Sequence, residues 1–511
     1  MAHEKVLDIV GHGAWNGGRV VDNSVFENLG MAFKGDQAVT DQSIQSRIGV
    51  RTRIAAGAEE RISVLAMQDL MDSNQLDFSR VKLVIGATNV GEDKYDPGPL
   101  VRMPYALMKE RCPGALVLDL YAGCPGFNVS AELVFVLSLS GILKVGDLSI
   151  VVGAENVHRA KPFRELDTSQ IIFGDDSLAT AFETQATVRS PEGRLATGRL
   201  ERNVGPDFIA GTAKALLELA GTGKIDGIIV DNQIGKNMWR IPASASRIQA
   251  SMVEQRWPGE AAKGFFRDFR TALEFYDKKV DSFAFDIMSV SADPSIVERV
   301  TRAYVESGKC RTVAGIFLSE DGEVKITVHQ GEGFVFRKPR YGVVDSLTRT
   351  HGCFSHFIQF EQEENDFFGH IDGKGVFLYA TRGAKSLLTS ILRANGLSIK
   401  NLDLLIEHQA NFAMIPLTLA QVLDEKKADL KAAVEHYIAH KMITNIHRRG
   451  NCSVVSMQRL PYDLMRGALE PDTVQGFAIN QNLAELRGAK IILWDSVGAG
   501  MTRSAVLERR P

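Results

Sequence analysis

Short runs of consecutive apolar residues alternate with longer stretches of helical spacing along the first third of the chain. Residues 5–11, 81–87 (VKLVIGA), 115–120 (ALVLDL) and 148–154 (LSIVVGA) are each the length of a strand. Their mostly apolar character fits strands buried on both faces. Between them, residues 63–71 and 129–143 repeat their apolar positions with helical period. Residues 171–173 lead into FGDDSLATAF. Strands alternating with helices predict an α/β sheet covered on both sides.

The last third repeats this grammar. Residues 383–396 predict an amphipathic helix that stops at a glycine, and 402–406 a strand followed by a turn and a helix. Residues 453–466 predict a helix, while 489–494 and 504–508 predict strands flanking the turn VGAG. The stretch 186–345 is richer in charge, but it too has strand-like runs (227–230, 314–318) and a helical one (295–305). It therefore predicts a folded insertion rather than a disordered linker. AKALLELAGTGKIDGIIVDNQIGKNM, from Ala213, echoes AKSLLTSILRANGLSIKNLDLLIEHQANFAM, from Ala384: helix, glycine, strand, polar turn. Two independent helix–strand units that happen to look alike explain the echo equally well. The expected division is 1–185, 186–345 and 346–511, in line with the roughly three units that 511 residues allow.

Composition narrows the function. With 45% hydrophobic and 24% charged residues the chain reads as a soluble globular protein. A net charge of -3 gives no bulk attraction to nucleic acid or anionic membranes. There is no apolar run of about 18 residues to span a bilayer, and the N-terminus lacks a secretory pattern, so a cytoplasmic location is expected. The five cysteines, at 112, 124, 310, 353 and 452, form no C-x-x-C pair. That leaves a single reactive thiol as the chemistry to test, with no metal expected.

Cys124 lies between a buried strand and a long helix. Free N–H groups and the positive end of the helix dipole at such a place favour thiolate. Flanking glycines let a thioester carbonyl approach, and a thiolate both attacks and leaves well. A free cysteine is more often a small buried hydrophobe, so the assignment needs partners. His408 stands at a turn into a helix within EHQAN, Asn451 within HRRGNCS, and a glycine turn within WDSVGAGMT near the end.

In this order and context the sequence resembles the ketoacyl-acyl-carrier-protein synthase III branch of the thiolase superfamily. The likeness rests on C-x-G-F at 124, GAEN at 153–156, FGD at 173–175, HQAN at 408–411, G-N-x-S at 450–453 and G-x-G-x-T at 498–502. It implies a five-layer αβαβα fold of two pseudo-repeated halves, here with an inserted α/β subdomain. It implies a catalytic set of Cys124, His408 and Asn451, and an oxyanion hole from the backbone N–H groups of Cys124 and Ala499. Arg47, Gly498 and Gly500 would bind substrate. The implied reaction is Claisen condensation of a Cys-bound acyl group with a malonyl-type thioester, giving a 3-oxoacyl product. Substrates would arrive on coenzyme A or an acyl carrier protein, without a further cofactor, in a homodimer.

The chain departs from the family pattern in several places. Ser43 stands where the family commonly carries a tryptophan that stacks on adenine, and Asp167 where a basic residue is often found. FGDGA becomes FGDDS, with Asp176 and Ser177, and GNTS becomes GNCS, with Cys452. Relatives that join two acyl chains without decarboxylation use a carboxylate base, for which Glu92 is a candidate. Transfer to an oxygen or nitrogen nucleophile is the other alternative.

Overall fold

The computed structural model describes residues 5–27, 29–33, 37–89, 100–160, 171–188, 193–204, 207–221, 223–234, 243–319, 323–363 and 366–511. Glu92 and Asp167 lie outside these residues. The two main sheets are built from fourteen strands. The first five are β1 (Leu7–Ala14), β2 (Val81–Ala87), β3 (Leu116–Tyr121), β4 (Leu148–Glu155) and β5 (Asp176–Thr184). Then come β6 (Arg194–Asn203), β7 (Gly227–Asn232), β8 (Phe283–Ser289), β9 (Thr312–Leu318) and β10 (Glu323–Glu332). The last four are β11 (Gly342–Thr350), β12 (Leu404–Glu407), β13 (Ile491–Gly498) and β14 (Thr502–Arg509).

The middle segment does not stand apart from the N-terminal sheet. A ten-stranded sheet runs β1-β5-β4-β2-β3-β8-β7-β9-β10-β6, joined at its centre by antiparallel pairing of β3 with β8. The second sheet runs β11-β14-β13-β12. An isolated bridge from Leu405 to Met442 stands beside β12 where a further strand would lie.

Helix α1 (Asp41–Ile48) precedes α2 (Ile62–Ser73), which covers the outer face of β1 and β5. Helix α3 (Gly126–Leu139) follows β3. All fourteen of its residues are buried, because it lies between the two sheets and has no solvent face. Its Asn128 donates to the carbonyls of Trp494 and Ser504 at 3.2 and 3.0 Å, tying it to the smaller sheet. The C-terminal helix in the same layer, over Ser456–Arg466, answers in the other direction. Its Gln458 donates to the Val151 carbonyl at 3.2 Å and the Thr180 hydroxyl at 3.0 Å on the larger sheet. With the helix at Ala384–Ala394 outside the smaller sheet, the layers are α, β, α, β, α. This is the thiolase-like architecture that the motifs implied. Among the described residues no helix is long and apolar enough to cross a membrane.

Candidate active site

Cys124 sits on the turn between β3 and α3, half-buried. The turn bends through Gly123 at φ +69, and a methyl at Gly123 would lie 2.5 Å from the Ala499 nitrogen. The loop after β13 therefore rests directly on the turn that holds the nucleophile. No backbone acceptor among the described residues takes the N–H of Cys124 or of Ala499. The two proposed oxyanion donors thus lie on adjoining turns.

The Asn451 loop reaches the same place. Phe173 bridges Asn451, whose N–H donates to the Ile172 carbonyl at 2.8 Å, while Gly174 donates to the Asn451 carbonyl at 3.1 Å. The FGD segment is thus a backbone dock for the asparagine loop. Asn451 Oδ1 accepts the Ser453 N–H at 2.8 Å, which leaves Nδ2 as the outward donor. Ser453 Oγ in turn donates to Cys124 Sγ at 3.4 Å. Behind it, Asn89 Nδ2 donates to Ser453 Oγ at 2.6 Å and to Glu155 Oε1 at 2.9 Å. Ser453, Asn89 and Glu155 were not singled out from the sequence, although G-N-x-S and GAEN contain two of them.

His408 leaves the end of β12, where its N–H donates to the Asp495 carbonyl at 2.8 Å. The ring is buried, and neither nitrogen has a hydrogen-bond partner among the described residues. Among the described residues no hydrogen bond joins the imidazole to Cys124 or Asn451; the link is through Gln409. Gln409 Oε1 accepts from the Thr444 hydroxyl and from the N–H groups of Asn445 and Ile446, at 2.6, 3.1 and 2.9 Å. Its Nε2 donates to the Ile443 carbonyl at 3.0 Å. One side chain thus fastens the histidine loop to the segment that delivers Asn451.

Electrostatics correct one expectation. Burial pushes the Cys124 thiol up to about 12, against the opposing pull of the Ser453 hydrogen bond. The resting nucleophile is therefore a thiol: desolvation outweighs the helix N-terminus that was expected to hold it as thiolate. Burial, aided by the Arg503 charge, lowers His408 to about 3, so the imidazole is neutral. Arg503 is itself held by Asp495 and by the Ala380 carbonyl.

The departures from the family pattern acquire structural reasons. Ser43 is buried and closes a capping box with Thr40 at the start of α1, so this position offers no stacking platform. Asp176 is buried against Arg459 and Arg449. Cys452 turns its sulfur toward the Arg449 and Gly450 carbonyls. Arg47 is exposed on the last turn of α1, its guanidinium over the Phe33 ring. That helix ends beside the histidine loop, where Phe412 donates to the Ile48 carbonyl at 2.9 Å. Gly498 touches the Cys124 backbone, and Gly500 adjoins Thr502 and Ser246. Among the described residues no cluster of His, Cys, Asp or Glu is arranged to hold a metal.

Comparison with known proteins agrees with the fold. The chain is 27% identical over 183 residues to a beta-ketoacyl-[acyl-carrier-protein] synthase III of Erythrobacter litoralis, covering 35% of this chain and 54% of that one. It is 27% identical over 230 residues to synthase III 1 of Vibrio vulnificus, covering 42% and 65%. The chain thus spans about half to two thirds of the length of these curated relatives. The solved 3-oxoacyl-(acyl carrier protein) synthase III of Pseudomonas aeruginosa superposes with a TM-score of 0.52 at 15% identity, covering 99% of both chains. No family model matches the chain.

Proposed function

We propose, from a fold and sequence similar to those of the synthase III proteins, that this chain is an acyltransferase that forms a carbon–carbon bond by Claisen condensation. One observation carries the reading: the 3.4 Å contact from Ser453 to Cys124 sets the Asn451 turn against the nucleophile. The neutral, unpartnered His408 supports it from a second loop.

Cys124 attacks the carbonyl of an acyl thioester, and the N–H groups of Cys124 and Ala499 hold the negative oxygen. The carbon–sulfur bond to the donor breaks, and the donor leaves as a thiol carrying the proton that Cys124 lost. A malonyl-type thioester then binds with its carbonyl oxygen facing His408 and Asn451 Nδ2. Its carboxylate leaves as carbon dioxide, and the bonding pair stays on the α-carbon as an enolate. Neutral donors suit this step, since decarboxylation itself generates the carbanion and no strong base is required. The enolate carbon attacks the acyl carbonyl, the bond to Cys124 breaks, and a 3-oxoacyl thioester results. The sulfur then regains its proton from solvent.

The thioester carrier is coenzyme A or an acyl carrier protein. Arg47, near the histidine loop, would meet a carrier phosphate, and a cytoplasmic setting suits five free thiols. Whole-protein mass measurement after exposure to acyl-coenzyme A tests the first half-reaction. The expected result is one acyl group on Cys124 that moves to a 3-oxo product only when malonyl thioester is added. Label released to an alcohol or amine instead would replace condensation with simple acyl transfer.

A further inference from the structure

Strands β6 to β10 reproduce β1 to β5. Written from the outer edge inward, the first five strands run first-fifth-fourth-second-third, and so do the next five. Register agrees as well as order. Leu83 pairs with Leu116 and with Ser149, as Gly227 pairs with Phe283 and with Val313. At the seam, Leu120 faces Ile287, Tyr121 faces Asp286 and Asp119 faces Met288. Each pair maps onto another pair, or onto itself, when the two units exchange, so a local twofold axis passes between Leu120 and Ile287.

A side-chain device recurs at the equivalent position. Asp119 accepts the N–H groups of Leu100 and Val101 at 2.6 and 3.0 Å. Asp286 accepts those of Ser244 and Ala245 at 2.7 and 2.8 Å. Both are buried carboxylates in the middle of the third strand of their unit, and both pin the chain that returns after the second strand.

We propose that residues 194–332 are a degenerate second copy of the N-terminal catalytic unit, kept as its built-in partner, with the helix at Ser244–Arg256 closing one side of the active site. The register puts Ser291 where the first unit has Cys124. Ser291 is exposed, and the helix behind it, Pro294–Glu306, is capped by Asp293, whose carboxylate takes the Ser295 N–H at 2.9 Å. A carboxylate at that helix end disfavours the negative charge that acyl transfer develops there. The second copy has no histidine and asparagine partners of its own among the described residues: the GNCS segment meets the first copy instead, where Ser453 contacts Cys124. It is silent by construction, and what it provides is contact. β8 covers the edge of β3 that would otherwise stay unpaired. Val253, Phe266 and Tyr276 of the second copy pack with Tyr379, Val497 and Met501, the last two flanking the Ala499 turn. Ser246 is buried, its hydroxyl has no hydrogen-bond partner among the described residues, and that oxygen lies 3.2 Å from where a methyl on Gly500 would stand.

A homodimer, which the family resemblance implied, would pair two N-terminal units across a twofold axis; here one chain already does so. Sedimentation velocity on the full chain is expected to give one species of single-chain mass, 56.1 kDa. A stable two-chain species would overturn the partner role. The acyl readout rests on the function proposed above. Exposed to acetyl- and longer acyl-coenzyme A, the chain should take one acyl group, absent in Cys124→Ala and unchanged in Ser291→Ala. A group on residue 291 would overturn its silence. No acyl group at all in the unaltered chain would count against the proposed chemistry, while sedimentation still judges the built-in partner. As a positioning residue, Ser246 is tested by Ser246→Val. That change should slow Cys124 acylation roughly tenfold with KM for the donor unchanged, and Ser246→Ala should keep the rate. Equal rates in both variants would remove this helix from the site.

Discussion

Ser453 donates to the Cys124 sulfur at 3.4 Å, while its backbone N–H is held at 2.8 Å by Asn451 Oδ1. One short turn therefore does two jobs: it orients the asparagine amide and touches the nucleophile. Asn89 and Glu155 brace the turn from the N-terminal sheet, so the two halves of the fold meet in this one chain of polar contacts.

Ser453→Ala should make Cys124 slower to ionise. The Ser453 hydrogen bond lowers the thiol against the burial that raises it. Hydrogen bonds to charged groups are worth about 1.5–3 kcal/mol, so alkylation by iodoacetamide at fixed mildly alkaline pH should fall roughly tenfold or more. A rate that holds steady would mean that the serine does not touch the reacting thiolate.

Asn451→Asp separates the two half-reactions. The carboxylate keeps an acceptor for the Ser453 N–H, so the turn should survive. The Nδ2 donor is lost, and a negative oxygen would face the developing enolate. Acylation of Cys124 should persist, while carbon dioxide release from malonyl-coenzyme A drops roughly a hundredfold or more, the scale of losing an oxyanion donor. Equal losses in both steps would point to collapse of the loop.

His408 is expected to act without titrating. Its value is lowered from 6.5 to about 3, first by burial and then by Arg503, so the ring is neutral at every pH above about 4. Malonyl decarboxylation by a Cys124→Ala protein should therefore show no step near 6.5. A step there that disappears in His408→Gln would refute the neutral-donor role.

Gln409→Ala should weaken catalysis through position alone. Four hydrogen bonds from one buried amide join the histidine loop to residues 443–446. Removing it strands several buried groups, at about 1–3 kcal/mol each when they find no new partner. Thermal unfolding should move down by several degrees, and decarboxylation should fall more than Cys124 acylation. A variant of unchanged stability would show that the loops are held by something else.

The side chains proposed here as catalytic could be picked out of the sequence because each stands where the local pattern changes, from apolar strand to glycine turn to helix. Buried strands such as β2 and β4 were equally plain, being short and mostly apolar. β6 was hidden: it lies at the sheet edge with no buried residue, so RLATGRLERN reads as charged surface. The echo between Ala213 and Ala384 fell on true equivalents, since both segments form the helix before the second strand of their unit. The likeness of the middle segment to the N-terminal unit could not be read. It resides in strand order and register, which pairwise sequence similarity does not carry. The state of the thiol was misjudged because the helix N-terminus is visible in sequence and the desolvation opposing it arises only from the folded packing around Cys124.

Gly498→Ala puts the turn itself to the test. A methyl there would overlap the backbone nitrogen of Cys124, and would stand 2.7 Å from Pro125 Cδ and 3.0 Å from Cys124 Cβ. Backbone cannot step aside as a flexible side chain does, so β13 and the nucleophile turn must part. Ala499 then withdraws from Gly123, and the two proposed oxyanion donors no longer face one point. Losing one such donor costs about 2.7–4 kcal/mol of transition-state stabilisation, so Cys124 acylation should fall roughly a hundredfold or more. Gly373→Ala is the control, since no atom lies within 4 Å of a methyl at that position. Its acylation rate should match the unaltered chain. If Gly498→Ala acylates as fast as Gly373→Ala, the oxyanion is held elsewhere, and the place of Ala499 in the mechanism falls.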